Sequence, residues 1–415
     1  MGYQQGLSGL QGASNDLDVI GNNIANANTV GFKAATAQFS DLYANSVSTA
    51  VANGIGIGTQ LAAVAQVFQQ GSLTSTQNPL DMAISGNGFF QVSSNGTTTY
   101  TRDGEFHADA NGNIVNSAGA NLMGYGVNAD GTINTASLKP LSAPQGNISP
   151  QASTAITGQF NLSQTDTTQT TTPFNYTDST SYTLRQPVQT YDSLGNQQNV
   201  NLYFVKSTTT GTWEVYAGAD NTTPTDIGSM TFDSSGKLVS STSAATGAAT
   251  TSLGKFSLSV PNSTGAVTPQ AISLDLSTST QFSTSKSASS NLVADGFPTG
   301  SLTSYSVGTD GTVSGIYSNG KTMTLGQVVV VNFNNPNGLT SVGGNQYIQT
   351  TASGVPQIGV AGTTNHGSLK GGTTEASTTD LTGELVNLIT AQRDYQANAQ
   401  TIKTQQTVDQ TLINL

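Results

Sequence analysis

The sequence predicts a mainly β, multidomain protein whose α-helices are confined to its two ends. Three observations carry that expectation. Apolar residues recur with a helical period at each terminus and lose it between them. The middle is punctuated by Asn-Gly and Asp-Gly dipeptides, whose residues tolerate positive φ at low cost and so mark tight turns. A length of 415 residues also exceeds what one ordinary core serves, so two or three domains are expected.

The N-terminal element comes first. Leu7, Leu10, Leu17 and Ile24 fall at spacings of three and four once Ser14 and Gly21 fill the gaps, which is a heptad stripe within 1–28. At the other end the same spacing runs through Leu381, Leu385, Leu388, Tyr395, Ala399, Ile402 and Ile413, within 377–415. Thr378, Thr379 and Asp380 offer N-cap oxygens, placing the start of this helix near 377–381. Isolated heptad helices with uncovered seams are marginal in water. The two are therefore expected to pair as a coiled coil on assembly, the alternative being a helix pair that covers a sheet of its own chain.

Between the helices, seven turn dipeptides, from Asn87-Gly88 to Asn319-Gly320, separate short alternating runs. Strands are predicted at 89–92, 200–205, 213–216, 272–276, 328–333 and 346–349. Segments 78–147 and 291–358 share one dense, Gly-punctuated alternation and are read as halves of a discontinuous β domain. Residues 148–290 are richer still in Ser and Thr and are read as an inserted, β-barrel-like domain, while 29–77 and 359–376 connect the β segments to the helices.

Composition narrows the function. With 8% charged residues and a net charge of -11, the chain offers no basic surface to a phosphate backbone or an anionic membrane, so neither nucleic acid nor membrane is an expected partner. No cysteine is present, which excludes disulfides and thiolate chemistry. His107 and His366 stand far apart in sequence, Asp109 to Asn113 lacks the distal Glu of a calcium loop, and the glycines at 54, 56 and 58 lack a phosphate-loop lysine. No cofactor, metal or catalytic group is expected. Residues 1–30 hold no Lys or Arg and no continuous apolar run, so a cleaved secretory signal is not expected either. A β-rich adhesin shares this composition, but it does not call for heptad helices at both ends.

Residues 15–33 read NDLDVIGNNIANANTVGFK, and Asn22, Asn23, Asn26, Thr29, Gly31 and Phe32 within it resemble the signature of the flagellar rod and hook protein family. LDMAISGNGFF at 80–90, YTRDGEF at 100–106, NIVNSAGANLMGY at 113–125 and the stretch 376–405 are similar to further segments of that family, in the same order. The extra residues 148–290 and the segment 188–206 resemble hook-type members more than the shorter rod-type ones. The resemblance implies a subunit that polymerises with itself into a flexible hollow tube, helices lining the channel, β wall outside them and insert outermost. It implies contacts with the rod at one end, hook-filament junction proteins at the other, a hook cap during growth, and the flagellar type III export apparatus. It implies a place in the extracellular part of the flagellum, reached without a cleaved signal peptide. In that setting Leu7, Leu10, Leu17, Ile24, Leu381, Leu385, Leu388, Tyr395 and Ile402 are the candidate assembly seam, and the Asn-rich motif is a hinge between helix and wall.

Overall fold

The computed structural model describes residues 2–42, 56–128, 130–144, 146–169, 173–220, 222–244, 250, 252–261 and 265–413. The chain divides into two compact units, one of Met1–Gln145, Thr303–Ile316 and Thr322–Leu415, the other of Gly146–Leu302 and Tyr317–Lys321.

In the first unit the helix α1 spans Gly2–Ala25 and the helix α2 spans Leu381–Ile413. They lie side by side in the single chain, so the pairing expected on assembly is already present before it. The contact is made by small residues. A Cβ on Gly6 would stand 2.9 Å from Ile402, and one on Gly9 2.5 Å from the Asn398 side chain, so bare backbone is what lets the helices approach. Gly6, Gly12, Ala13, Ile20 and Asn23 are the buried positions of α1, a stripe displaced from the leucines, and Ala391 is the buried position of α2.

A hairpin of β1 (Ala35–Leu42) and β2 (Gly58–Gln66) packs on α1, antiparallel from Ala35 opposite Gln66 to Leu42 opposite Gly58 with a one-residue register shift between Gln38 and Phe39. The wall of this unit is a twelve-stranded sheet whose central path runs Leu302–Val307, Thr312–Tyr317, Thr322–Asn332, Asn121–Val127, Phe89–Ser94, Thr97–Thr101, Gln346–Ile348 and Thr340–Gly343. Strand Thr322–Asn332 shows why the sheet is stable. Val328 and Val330 enter one core with Phe90 and Leu122, whereas Val331 points to the other face with Phe89, Tyr100 and Tyr347. A run of valines covered on both faces is what a central strand requires.

The turn dipeptides serve two purposes. Asn95 (φ 50°) and Gly96 (φ 83°) make the two-residue hairpin between Phe89–Ser94 and Thr97–Thr101. Asp103-Gly104 does not make a hairpin, because Thr97–Thr101 and Phe106–Ala108 are not paired with each other. Glycine is needed there because a Cβ would fall 1.6 Å from the Met82 carbonyl oxygen. Two short pairings then return the C-terminal segment to the first half of the chain: Ser368–Gly371 with Met82–Ser85, and Thr373–Glu375 with Leu73–Ser75.

The second unit holds a four-stranded sheet of Lys255–Val260, Gln270–Asp275, Ala155–Asn161 and Ala288–Ala294, and a five-stranded sheet from Leu184–Tyr191 to Leu238–Ser243. Strict alternation buries Phe256, Leu258 and Val260 from one strand and Ile272 and Leu274 from its neighbour. These meet Phe204, Trp213 and Val215 from the other sheet in one core. Isolated bridges from Thr280 to Asn161 and to Lys237 link the two, which remain separate sheets among the described residues and form no closed barrel.

Candidate assembly and junction site

The chain enters the wall from α1 and leaves it for α2 at one place, and a buried ionic cluster sits there. Lys33 and Glu375 have side chains wholly removed from solvent, and Arg102 is almost so. Lys33 Nζ donates to Glu375 Oε1 at 2.6 Å and to the Gln69 carbonyl at 2.6 Å. Arg102 Nη1 donates to Glu375 Oε2 at 3.1 Å, and its Nη2 to the Gly86 carbonyl at 2.7 Å. The Gly71 N–H adds a third bond to the carboxylate, at 2.7 Å. Burial pushes the Lys33 ammonium and the Arg102 guanidinium below their ordinary values, and the facing Glu375 carboxylate pulls both back up. One carboxylate thus compensates two cations from separate parts of the chain, 342 and 273 positions away.

The Asn-rich motif precedes Lys33 in the chain and meets the cluster at Gly31. Asn23 is buried at the end of α1; its Nδ2 donates to the Ala35 carbonyl at 2.8 Å and to Glu384 Oε1 of α2 at 2.9 Å, while its Oδ1 accepts from the Ala35 N–H. Asn26 Nδ2 caps the carbonyl and side-chain oxygen of Asn22, and Thr29 donates to Asn26 Oδ1 at 3.1 Å. Gly31 takes φ 69°, and its N–H donates to the Glu375 carbonyl at 2.8 Å. A Cβ there would meet the Arg102 and Asp103 backbone at about 2.5 Å, which leaves room for glycine alone. The Phe32 carbonyl accepts from the Thr378 N–H at 3.1 Å, and the Ala34 N–H donates to Thr378 Oγ1 at 2.9 Å.

The outer surface of the helix pair has a different character. Leu7 is 52% exposed, Leu381 48%, Leu385 47% and Tyr395 38%, and Val386, Ile389, Val408 and Leu412 are uncovered as well. Leu10, Leu17, Ile24, Leu388 and Ile402 are half-buried, and Ile402 also meets α1 at Gly6. Between the helices three carboxylates converge. Asp16 is raised above the ordinary carboxylate range, first by burial and then by Glu384 and Asp394.

The sequence by itself assigns no role to Lys33, Arg102 or Glu375. In a chain with only 12 basic residues, a lysine directly after Phe32 and an arginine two positions after Tyr100 are the available signal. Their partner could not be read, because the spacing to it follows no local period. Among the described residues no group of His, Cys, Asp and Glu could hold a metal ion, and no helix is long and apolar enough to cross a membrane.

Comparison with known proteins finds family matches at both ends of the chain and across its middle. Residues 4–33 match the flagella basal body rod protein family, 83–157 the D1 domain of flagellar hook proteins FlgE/F/G, 161–297 the flagellar basal body protein FlaE D2 domain, and 370–415 the C-terminal domain of flagellar basal body rod FlgEFG proteins. The chain is 41% identical to the flagellar hook proteins FlgE of Salmonella typhimurium and of Escherichia coli, covering all of both chains in each case. It is 32% identical to that of Treponema pallidum over 99% of this chain and 98% of the relative. Its fold is similar to the crystal structure of Helicobacter pylori flagellar hook protein FlgE2, with a TM-score of 0.51 at 16% identity over 73% of this chain and 99% of the other.

Proposed function

Because the chain belongs to the flagellar hook protein family, and is a structural subunit of the bacterial flagellar hook, we propose that its terminal helices are the axial contacts of a flexible hollow tube that carries torque from rod to filament. The observation that carries this reading is the uncovered apolar surface of the helix pair. Leu7, Leu381, Leu385 and Tyr395 remain wet although α1 and α2 are already paired, so a neighbouring copy is what can bury them. Leu10, Leu17, Ile24, Leu388 and Ile402 complete that seam.

In this reading the discontinuous β domain, 78–147 with 291–358, is the wall and 148–290 the outer layer. The charged cluster of Lys33, Arg102 and Glu375, with the motif residues Asn22, Asn23, Asn26, Thr29, Gly31 and Phe32, is the rigid joint through which torque passes from helices to wall. Compliance in bending comes from the outer layer, whose small polar side chains slide past neighbours with few ion pairs to break. In the same reading the rod, the junction proteins, the cap and the export apparatus are its partners, its place is outside the cell, and its role is structural.

Electron microscopy of the purified full-length chain under polymerising conditions tests the reading. Wild type is expected to form tubes, and Leu7→Asp with Leu385→Asp is expected to abolish them while leaving the circular dichroism of the monomer unchanged. Tubes of normal yield from that double variant would refute the role of the helix surface.

A further inference from the structure

Beside the helix contact lies a groove of about 490 Å³, floored by Gly9, Gly12 and Ala13 of α1 and walled by Phe39 of β1 and by Asp394 of α2. Its floor is low because those three residues carry almost no side chain, and the Asn398 side chain packs over Gly9. Phe39 is 42% exposed, an apolar wall left in water, and Asp16 stands with Asp394 at the rim. Apart from Thr59 and Asn398, the groove is therefore apolar inside, and it is negative where Asp16 and Asp394 line it. Asp16 is raised by burial and by the neighbouring carboxylates Glu384 and Asp394, the condition of a site short of positive charge.

The complementary shape is on α2. Val386, Ile389 and Arg393 fall at successive helical turns and so share one face. Val386 is 59% exposed, Ile389 50%, and Arg393 is exposed and forms no ion pair among the described residues. Arg393 and Lys403 are the only basic residues of the two helices. A ridge of two apolar side chains followed by a cation thus matches a groove of apolar floor and acidic rim.

We propose that the Val386–Ile389–Arg393 ridge of one copy docks into the Gly9–Gly12–Phe39 groove of the next, with Arg393 paired to Asp16 and Asp394 across the contact. The inference rests on the hook reading and supplies its register. Ridge and groove are different patches of one surface, so the contact is head-to-tail and repeats without closing on itself, as a helical polymer requires. Charge complementarity selects the copy as occupant, and burial of the ridge supplies the affinity.

The test uses full-length protein with Arg393→Glu, with Asp16→Arg, and with both. Each single change is expected to raise the critical concentration for tube formation at least tenfold, and the double exchange to bring it back to near wild type. Because Asp16→Arg can disturb the helix pair itself, a second measurement uses the absence of cysteine from the natural chain. Protein carrying Asp16→Cys is copolymerised with protein carrying Arg393→Cys and oxidised. Disulfide-linked dimers in the mixed polymer, and not in either polymer alone, support the contact. Wild-type tube formation by Arg393→Glu, or a mixed polymer without such dimers, overturns it while the hook reading stands. Wild-type protein that forms no tubes removes both.

Discussion

Replacing Glu375 by Gln keeps the shape of the buried junction and removes its only negative charge. The carboxylate accepts from Lys33 at 2.6 Å, from the Gly71 N–H at 2.7 Å and from Arg102 at 3.1 Å, and all three charged side chains are shielded from water. Removing one partner of a buried ion pair costs about 3–5 kcal/mol, because the charge left behind has lost its solvent and gained nothing. Total stabilities of about 5–15 kcal/mol make that loss a large fraction of what holds the unit closed. With a urea slope of about 2 kcal/mol per molar, the unfolding midpoint of this unit falls by about 2 M. Trp213, the single tryptophan, lies in the other unit and serves as the internal control. Hydrogen exchange at Lys33, Gly71 and Thr374 is expected to accelerate in Glu375→Gln while the Trp213 fluorescence transition stays in place. A combined Lys33→Met, Arg102→Met and Glu375→Met variant is expected to recover most of the loss, since apolar groups of similar volume need no compensation. A midpoint that moves by less than about 0.5 M in Glu375→Gln would refute the reasoning.

Gly31→Ala places a Cβ against the Arg102 and Asp103 backbone at positive φ, and thermal unfolding of the first unit is expected to show a loss of about 2 kcal/mol or more. Asp103 is raised to about 6 by burial, helped by the like charges of Glu105 and Asp81. Its folded value lies above its unfolded one, so the stability it contributes is fully present below about pH 4 and is lost as pH rises through about 6. Asp103→Asn is expected to flatten that part of the pH–stability curve, and an unchanged slope would contradict the burial argument. Asp16 is raised for the same kind of reason, so pairing of α1 with α2 strengthens as pH falls toward the carboxylate range. Proteolysis of α2 is expected to slow at lower pH in wild type and to lose this dependence in Asp16→Asn.

Much of the architecture was legible because it rests on local periods. The heptad spacing of Leu7, Leu10, Leu17 and Ile24 gave α1, and that of Leu381 to Ile402 gave α2. The predicted strands at 89–92, 200–205, 213–216, 272–276, 328–333 and 346–349 all overlap observed ones, since each run is bounded by turn residues and alternates or is continuously apolar. Asn95-Gly96 turned as its dipeptide required, whereas Asp103-Gly104 did not, because its glycine answers to a carbonyl from another strand. The helix contact shows the same limitation. Hydrophobic spacing marks which residues dislike water, and it singled out the leucines. The α1–α2 contact also uses Gly6 against Ile402 and Gly9 against Asn398, and the value of those glycines lies in what they omit.

What the sequence determined by itself was the class of fold, helices at both ends of a β chain, and a motif specific enough to indicate the flagellar axial family. What only the tertiary structure decided was which residues close the molecule: Glu375 against Lys33 and Arg102, Asn23 between Ala35 and Glu384, and Asp16 beside Asp394. Periodicity reports a side chain's neighbours within a few positions along one element. Partners hundreds of residues apart are chosen by where the strands and helices pack, and no local pattern encodes that distance.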